Sequence, residues 1–413
     1  MKKLTIIIAI FTIVAMSAGL SWATNGDNLI GVGPTSRSMG GVGVASPQDS
    51  ISAIFANPAA MCFGAYCPGS EATFAGTYFN PTVDGKVDYT ALPGYPKGES
   101  DSQMDPFVVP AIGISTPLTS RLRFGIGAYG VSGMGVNYKE EDIPVGDMYT
   151  KLEVMKFAPN LAYLVTSDFS VGASLSVSYQ NLDLGTGGAH GYAYGAQLGA
   201  LYHFNIFNFG VSYTTPQKVT HENVYDFDQD STATNTDLDD LDLEAPQTMA
   251  FGVSAEPNDS LLVEFNTKWI NWSDADGYKD FDWDDQWVFA VGAQYKVTQA
   301  LALRIGYNYG KNPVNEHNGF NPMGSTDVQG TDVSNVNYET FRIIGFPAII
   351  EHHLTLGAGY KFTDKMAVNI SYMHGFEETI KESSEGVPPT GNTVDLESTL
   401  QEDSVSVGFT VQF

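Results

Sequence analysis

The sequence predicts an all-β fold: a fourteen-stranded antiparallel transmembrane β-barrel preceded by a strand-free N-terminal segment. Three observations predict it. Segment after segment alternates apolar residues with Gly, Ser, Asn and Gln; the connections between them alternate short and long; and the chain opens on an export-type leader. A soluble sandwich turns its apolar face inward, whereas a polar second face on so many strands fits lipid outside and a polar lumen inside.

Lys2 and Lys3 precede an apolar run from Leu4 to about Ala15, and Ser21-Trp22-Ala23 offers a small-x-small cleavage site. Residues 1–23 therefore read as a secretory signal peptide, and fold reasoning starts at Thr24. The run is short for a membrane-spanning helix and no other ~20-residue apolar span follows, so export points to the outer membrane of a Gram-negative cell. Residues 24–68 are rich in Gly, Ser, Pro and Ala, with helix-compatible pieces such as Asp49 to Ala56. Cys62 and Cys67 close a small loop there, and an oxidising periplasm favours a disulfide between them over free thiols; further metal ligands are lacking nearby.

Residues 69–413 carry the barrel. Candidate strands start near Glu71, Asp105, Leu122, Lys151, Phe169, Gly191, Asn208, Ala245, Leu261, Gln286, Ala300, Glu351, Met366 and Asp403. In the last, Val405, Val407, Phe409, Val411 and Phe413 share one face and Ser404, Ser406, Gly408, Thr410 and Gln412 the other. Leu301 to Gly310 and Val171 to Gln180 repeat the pattern. Leu118 to Arg121, Ser167-Asp168, Glu256 to Asp259, Thr298-Gln299 and Thr363 to Lys365 are short turns. Residues 85–103, 139–149, 220–243, 273–285, 313–347 and 380–401 are long and polar, as extracellular loops are. The third strand departs from the rule. Alternation fails over Tyr129 to Gly135, with five glycines in residues 125–135, which predicts a bulge or bend and a gap in the wall.

Charge excludes some functions. Removing residues 1–23 takes two of the 20 basic residues and none of the 47 acidic ones, leaving a net charge of −29, so no nucleic acid is expected as a partner. Eight of the nineteen residues from Asp226 to Glu244 are acidic. They read as solvated loop charge: the EF-hand-like start Asp226-x-Asp228-x-Asp230 has Ser231 where that loop needs Gly and Asp237 where it needs Glu. No cofactor and no metal is expected. Gly-x-Ser-x-Gly is lacking and His221-Glu222 has no second His in zinc-protease spacing, so no hydrolase is expected. A general porin, an adhesin and a TonB-coupled receptor do not explain the small strand-free start.

Asn28-Leu29-Ile30-Gly31, Ser38 to Ala45 and Asn57-Pro58-Ala59-Ala60-Met61, with Gly345-Phe346-Pro347-Ala348, Leu354 to Tyr360 and Ser371 to Gly375, resemble the FadL/TodX family of outer-membrane transporters for hydrophobic compounds. The resemblance implies that residues 24–68 form a small hatch plugging the lumen, with Asn57, Pro58 and Ala59 at its heart. It implies a ligand pocket gated by Asn28, Leu29 and Ile30, and a kinked third strand at Tyr129, Gly130 and Val131 that opens the wall sideways. Passive transport of long-chain fatty acids or related lipids is the expectation; aromatic hydrocarbons are the alternative cargo. A carboxylate head group would meet Lys311, Arg342, His352 or His353, which flank the long 313–347 connection. Outer-membrane lipid and lipopolysaccharide are the expected surroundings, and a monomer the expected state. One departure is visible: the connection Leu184 to His190 is short where fatty-acid transporters of this family carry a long capture loop, so residues 220–243 and 313–347 are the expected substitutes.

Overall fold

The protein is described here by a computed structural model that covers residues 24–62, 69–227 and 237–413. Each barrel strand pairs antiparallel with its neighbours in sequence: β1 Glu71–Asp88, β2 Phe107–Pro117, β3 Leu122–Asn137, β4 Tyr149–Leu164, β5 Phe169–Asp183, β6 Ala189–Phe204 and β7 Phe207–Thr214. The series continues with β8 Thr248–Asn258, β9 Leu261–Ile270, β10 Gln286–Lys296, β11 Leu301–Gly310, β12 His352–Thr363, β13 Met366–Ser383 and β14 Asp395–Gln412. β14 pairs with β1 along Gln412↔Glu71 to Asp395↔Asp88, so the fourteen-stranded barrel is closed. Closure pairs the two terminal strands, which in an open sheet would present unpaired amides to lipid, where no water is at hand to bond them.

Within the bilayer the faces sort as the alternation requires. Leu175 and Val407 face out at 69% and 50% exposure, whereas Ser174, Ser178 and Ser406 face in and are buried. Above it the polarity inverts. Val83 and Val87 on β1, Ile380 on β13 and Leu396 and Leu400 on β14 turn inward and are buried, while Lys86 and Glu397 point out. The segments 85–103 and 380–401, expected as long polar connections, are therefore about half continued strand; β14 begins at Asp395, eight residues before the expected Asp403. The expectation failed because the apolar face changes sides where the wall leaves the membrane.

The lumen holds the N-terminal segment. Asp49 caps helix α2, Ser50–Ala56, by accepting the Ser52 amide at 2.8 Å. α1, Pro34–Arg37, packs against β12–β14, α2 against β1–β3, and the 3-10 turn Pro58–Cys62 against β4, β5 and β6. Between them the segment runs along a row of wall glycines. A Cβ on Gly210 would lie 2.1 Å from the Val44 carbonyl, on Gly292 2.3 Å from the Met39 carbonyl, and on Gly306 2.1 Å from the Gly40 amide. Gly113, Gly172, Gly199, Gly357 and Gly408 meet the hatch in the same way. At Gly40 and Gly41 the hatch turns through positive φ, +72° and +84°, and a Cβ on Gly41 would overlap the Ile30 carbonyl. Buried wall carboxylates complete the seat: Glu264 accepts the amides of Ala45 and Ser46 at 2.8 and 3.1 Å, and Glu71 accepts that of Ser50 at 2.8 Å.

Over the lumen, the extracellular loops are stapled by one ionic cluster. His317 lies 2.8 Å from Glu339 and 2.7 Å from Asp282; Arg342 pairs with Glu339 and, at 3.1 Å, with Glu382 of β13. Arg342 also donates to the Phe281 carbonyl at 2.8 Å.

Two outcomes test these contacts. Gly306→Val should leave a heat-modifiable barrel whose hatch is unseated, seen as raised single-channel conductance, because the obstructing atoms are backbone. Gly76→Ala, on the lipid face with nothing near its Cβ, should change neither property. The second outcome concerns pH. Hydrogen bonds to Glu339 and then Asp282 raise the His317 pKa, against burial and Arg342. Its contribution to loop docking is therefore complete below the pKa of an unfolded histidine, roughly 6.5, and is lost as pH rises through the elevated folded value. Limited proteolysis of residues 313–347 should accelerate over that rise, and His317→Gln should diminish that acceleration.

Candidate functional site

Strand β3 pairs with β2 from Pro117↔Arg123 to Ala111↔Tyr129 and no further. On its other side, Tyr129 pairs with Lys156 and Ser132 with Val154 of β4. Three steps along β3 match two along β4, so Val131 is one residue too many and forms a bulge. Tyr129 and Ser132 both face the lumen although they differ in parity, which is why the alternation breaks at this point. Beyond Tyr129 the β2 side of β3 has no ladder until the Asn137 carbonyl accepts the Gln103 amide at 2.7 Å. The hatch covers this interruption from inside: Asn28 pairs with Ser132, and the Gly133 amide donates to the Asp27 carbonyl at 3.2 Å.

Thr24↔Leu29 and Asn25↔Asn28 make the first hatch residues a tight hairpin turned at Gly26 (φ +60°). It presses against an aromatic cluster of Trp272, Tyr278 and Trp283, whose ring centroids lie 4.5–5.1 Å apart. Tyr278 donates its hydroxyl to the Asp27 carboxylate, and burial raises the pKa of Asp27.

A cavity opens in the lumen beside this hairpin. Asn28, Leu29 and Ile30 line it together with Tyr129 and Val131, so these segments, expected separately as gate and kink, border one space. Its walls are largely apolar, with Val44, Phe55, Val288 and Ala290 among them. Two lysines, Lys156 of β4 and Lys268 of β9, stand in that lining. Sequence reasoning missed both. Their signal was the period-2 phase: Lys156 shares its face with Val154 and Ala158, and Lys268 with Glu264 and Asn266, all lumenal positions.

The cations expected instead are not brought together. Arg342 is consumed by Glu339, Glu382 and backbone carbonyls in the extracellular cluster. His353 is buried with Nδ1 3.0 Å from the Asn308 carbonyl and Nε2 2.9 Å from that of Thr24. His352, its neighbour, points to the opposite face and stacks on Tyr309 at 4.8 Å, and Lys311 is exposed. Adjacent residues on a strand face opposite ways, which separates His352 from His353.

Asn57 caps the end of α2. Its Nδ2 donates to the Val44 carbonyl at 2.8 Å and the Ala200 carbonyl of β6 at 3.2 Å, while its Oδ1 accepts the Ala59 amide. Pro58 and Ala59 crowd against Gly172 of β5. Cys67, one half of the expected disulfide, lies outside the described residues, as do Asp228, Asp230 and Ser231 of the acidic loop.

A second apolar pocket lies above, under the extracellular cluster, lined by Leu241, Leu243, Phe281, Trp283, Phe341 and Phe346. Leu241 and Leu243 belong to the ribbon formed by Gln217–Tyr225 and Asp239–Ala245, and Phe341 to the 313–347 connection. The β5–β6 connection, residues 184–188, contributes nothing to the pocket.

Comparisons place this architecture. The chain covers 100% of a Pseudomonas aeruginosa FadL homologue with 96% of its own length, at 16% identity and a TM-score of 0.70. The Pseudomonas putida toluene transporter TodX matches 93% of this chain and 99% of its own, at 18% identity and a TM-score of 0.65. The Ralstonia pickettii toluene transporter TbuX gives 93%, 99%, 18% and 0.61. No curated protein matches the chain by sequence. The family model described as outer membrane protein transport protein (OMPP1/FadL/TodX) matches residues 9–187 and 184–321, well over half of the sequence. A closed fourteen-stranded barrel, a hatch seated in its lumen and that match together make this chain a member of the OMPP1/FadL/TodX family, the outer-membrane channels for hydrophobic compounds.

Proposed function

We propose that the protein passively carries long-chain fatty acids or related anionic amphiphiles across the outer membrane and releases them sideways into the bilayer. The observation that carries this reading is the lumenal cavity: an apolar wall holding two lysines, next to an interrupted β2–β3 ladder that the hatch covers. An acyl chain gains about 25 cal/mol per Å2 of apolar surface buried, and its carboxylate meets Lys156 and Lys268. Hydrophobic cargo is captured in the pocket of Leu241, Leu243 and Phe341, moves to the cavity, and leaves past Tyr129 and Val131 when Asp27 and Asn28 withdraw. Leaving into lipid spares an apolar molecule the aqueous periplasm. In this reading residues 1–23 are a signal removed on export. The barrel, closed by the pairing of its terminal strands, works as a monomer among lipopolysaccharide.

Aromatic hydrocarbons are the second reading, favoured by the toluene transporters TodX and TbuX among the structural matches. The lysines separate the two. Replacing both Lys156 and Lys268 by Met should weaken oleate binding at least tenfold, about 1.4 kcal/mol, and leave toluene binding unchanged in fluorescence or calorimetric titrations. Unaltered oleate affinity would make an uncharged molecule the cargo.

Lateral release makes a separate prediction. Deleting Val131 alone removes the extra step between Tyr129 and Ser132, so the β3–β4 register becomes continuous. The variant should fold, show heat-modifiable migration and bind ligand, yet lose uptake of labelled fatty acid in a strain lacking its own transporter. Uptake at the parental rate would point to axial passage past the hatch.

A further inference from the structure

Thr24 is 2% exposed and Asn25 fully buried, inside a closed barrel. The Thr24 hydroxyl donates to Glu402 Oε1 of β14 at 2.8 Å, and its carbonyl faces His353 Nε2 at 2.9 Å. Glu402 is itself buried, at 4% exposure, and its second oxygen, Oε2, has no hydrogen-bond partner. The charge of Arg37 acts on Glu402, but its guanidinium bonds elsewhere: to Ser404 Oγ at 2.6 Å, to the Gly31 carbonyl at 3.1 Å and to the Met373 sulfur at 3.2 Å. A buried carboxylate with one bare oxygen is costly unless a charged donor reaches it.

We infer that cleavage after Ala23 creates that donor: the α-ammonium of Thr24 forms a buried ion pair with Glu402, so processing builds a structural cation into the lumen. The amine sits on the residue whose hydroxyl already touches the carboxylate, and it carries three N–H groups where an uncleaved peptide bond carries one. Hydrolysis of the Ala23–Thr24 peptide bond consumes one water and yields a carboxylate on the leader and the ammonium on Thr24. The pair has a consequence for the ligand cavity. Thr24 pairs with Leu29 and Asn25 with Asn28, so fixing Thr24 fixes the hairpin whose far side lines the cavity and covers the wall interruption.

The inference rests on residues 1–23 being a removed export signal, and the experiment separates the two. Mass spectrometry of protein purified from outer membranes should give Thr24 as the first residue; any other terminus overturns both statements. With that terminus in hand, acylation of the α-amine by an amine-reactive reagent is followed on the N-terminal peptide at pH 8. The native protein should react at least tenfold more slowly than Glu402→Gln. Inserting one Ala between Ala23 and Thr24, which moves the amine away from Glu402, should accelerate the reaction equally, and the double variant no further. Equal rates in native and Glu402→Gln protein overturn the ion pair while leaving the export reading intact. If Glu402→Gln does not fold, the insertion variant alone decides, since it keeps Glu402: acceleration supports the pair and an unchanged rate overturns it.

Discussion

The near contact of two backbones, hatch against wall, is what the rest of the structure depends on. A lumen ringed by fourteen strands is too wide for side chains alone to fill, and an aqueous hole would leak. The wall gives up side chains along a row of glycines so that the hatch main chain lies directly on it, and carboxylates such as Glu264 and Glu71 then take up amides that no secondary structure pairs. Shape and hydrogen bonding are satisfied by the same approach. The cavity is the space this packing leaves, bordered by hatch residues on one side and strand residues on the other.

Polarity inside the barrel is layered rather than uniform. Serines and threonines line the wall near the hatch, lysines stand in the cavity, and above it an apolar core of loop and strand residues is roofed by the Arg342–Glu339–Glu382–His317 cluster. Removing one partner from a buried ionic cluster is far more damaging than replacing it whole, so the roof holds the extracellular pocket in one geometry with few contacts.

How much of this was legible in the sequence depended on where each residue sits relative to the bilayer. Strands inside it announced themselves, because lipid and lumen impose opposite demands on alternate residues, and the break at Tyr129 to Gly135 was visible because the bulge at Val131 shifts that phase. Outside the bilayer the signal inverted: Val83, Leu396 and Leu400 face inward, so the extended hairpins looked like loops. The wall glycines serve a partner more than a hundred residues away in several cases, which no local pattern encodes. Chain order made Arg342 and His352 look like pocket cations, whereas the strand phase would have led to Lys156 and Lys268. Cap chemistry at Asp49 and the turn at Asn57-Pro58 were readable, being local.

β1, β13 and β14 each run for 18 residues. At about 3.4 Å per residue and a tilt near 45°, such a strand rises roughly 43 Å, against an apolar band of about 25 Å. The rigid wall therefore stands well clear of the hydrocarbon on the side of the long connections. A mouth held at that height turns the barrel into a tower, open where the surrounding water is and discharging, on the proposed route, where the oil is.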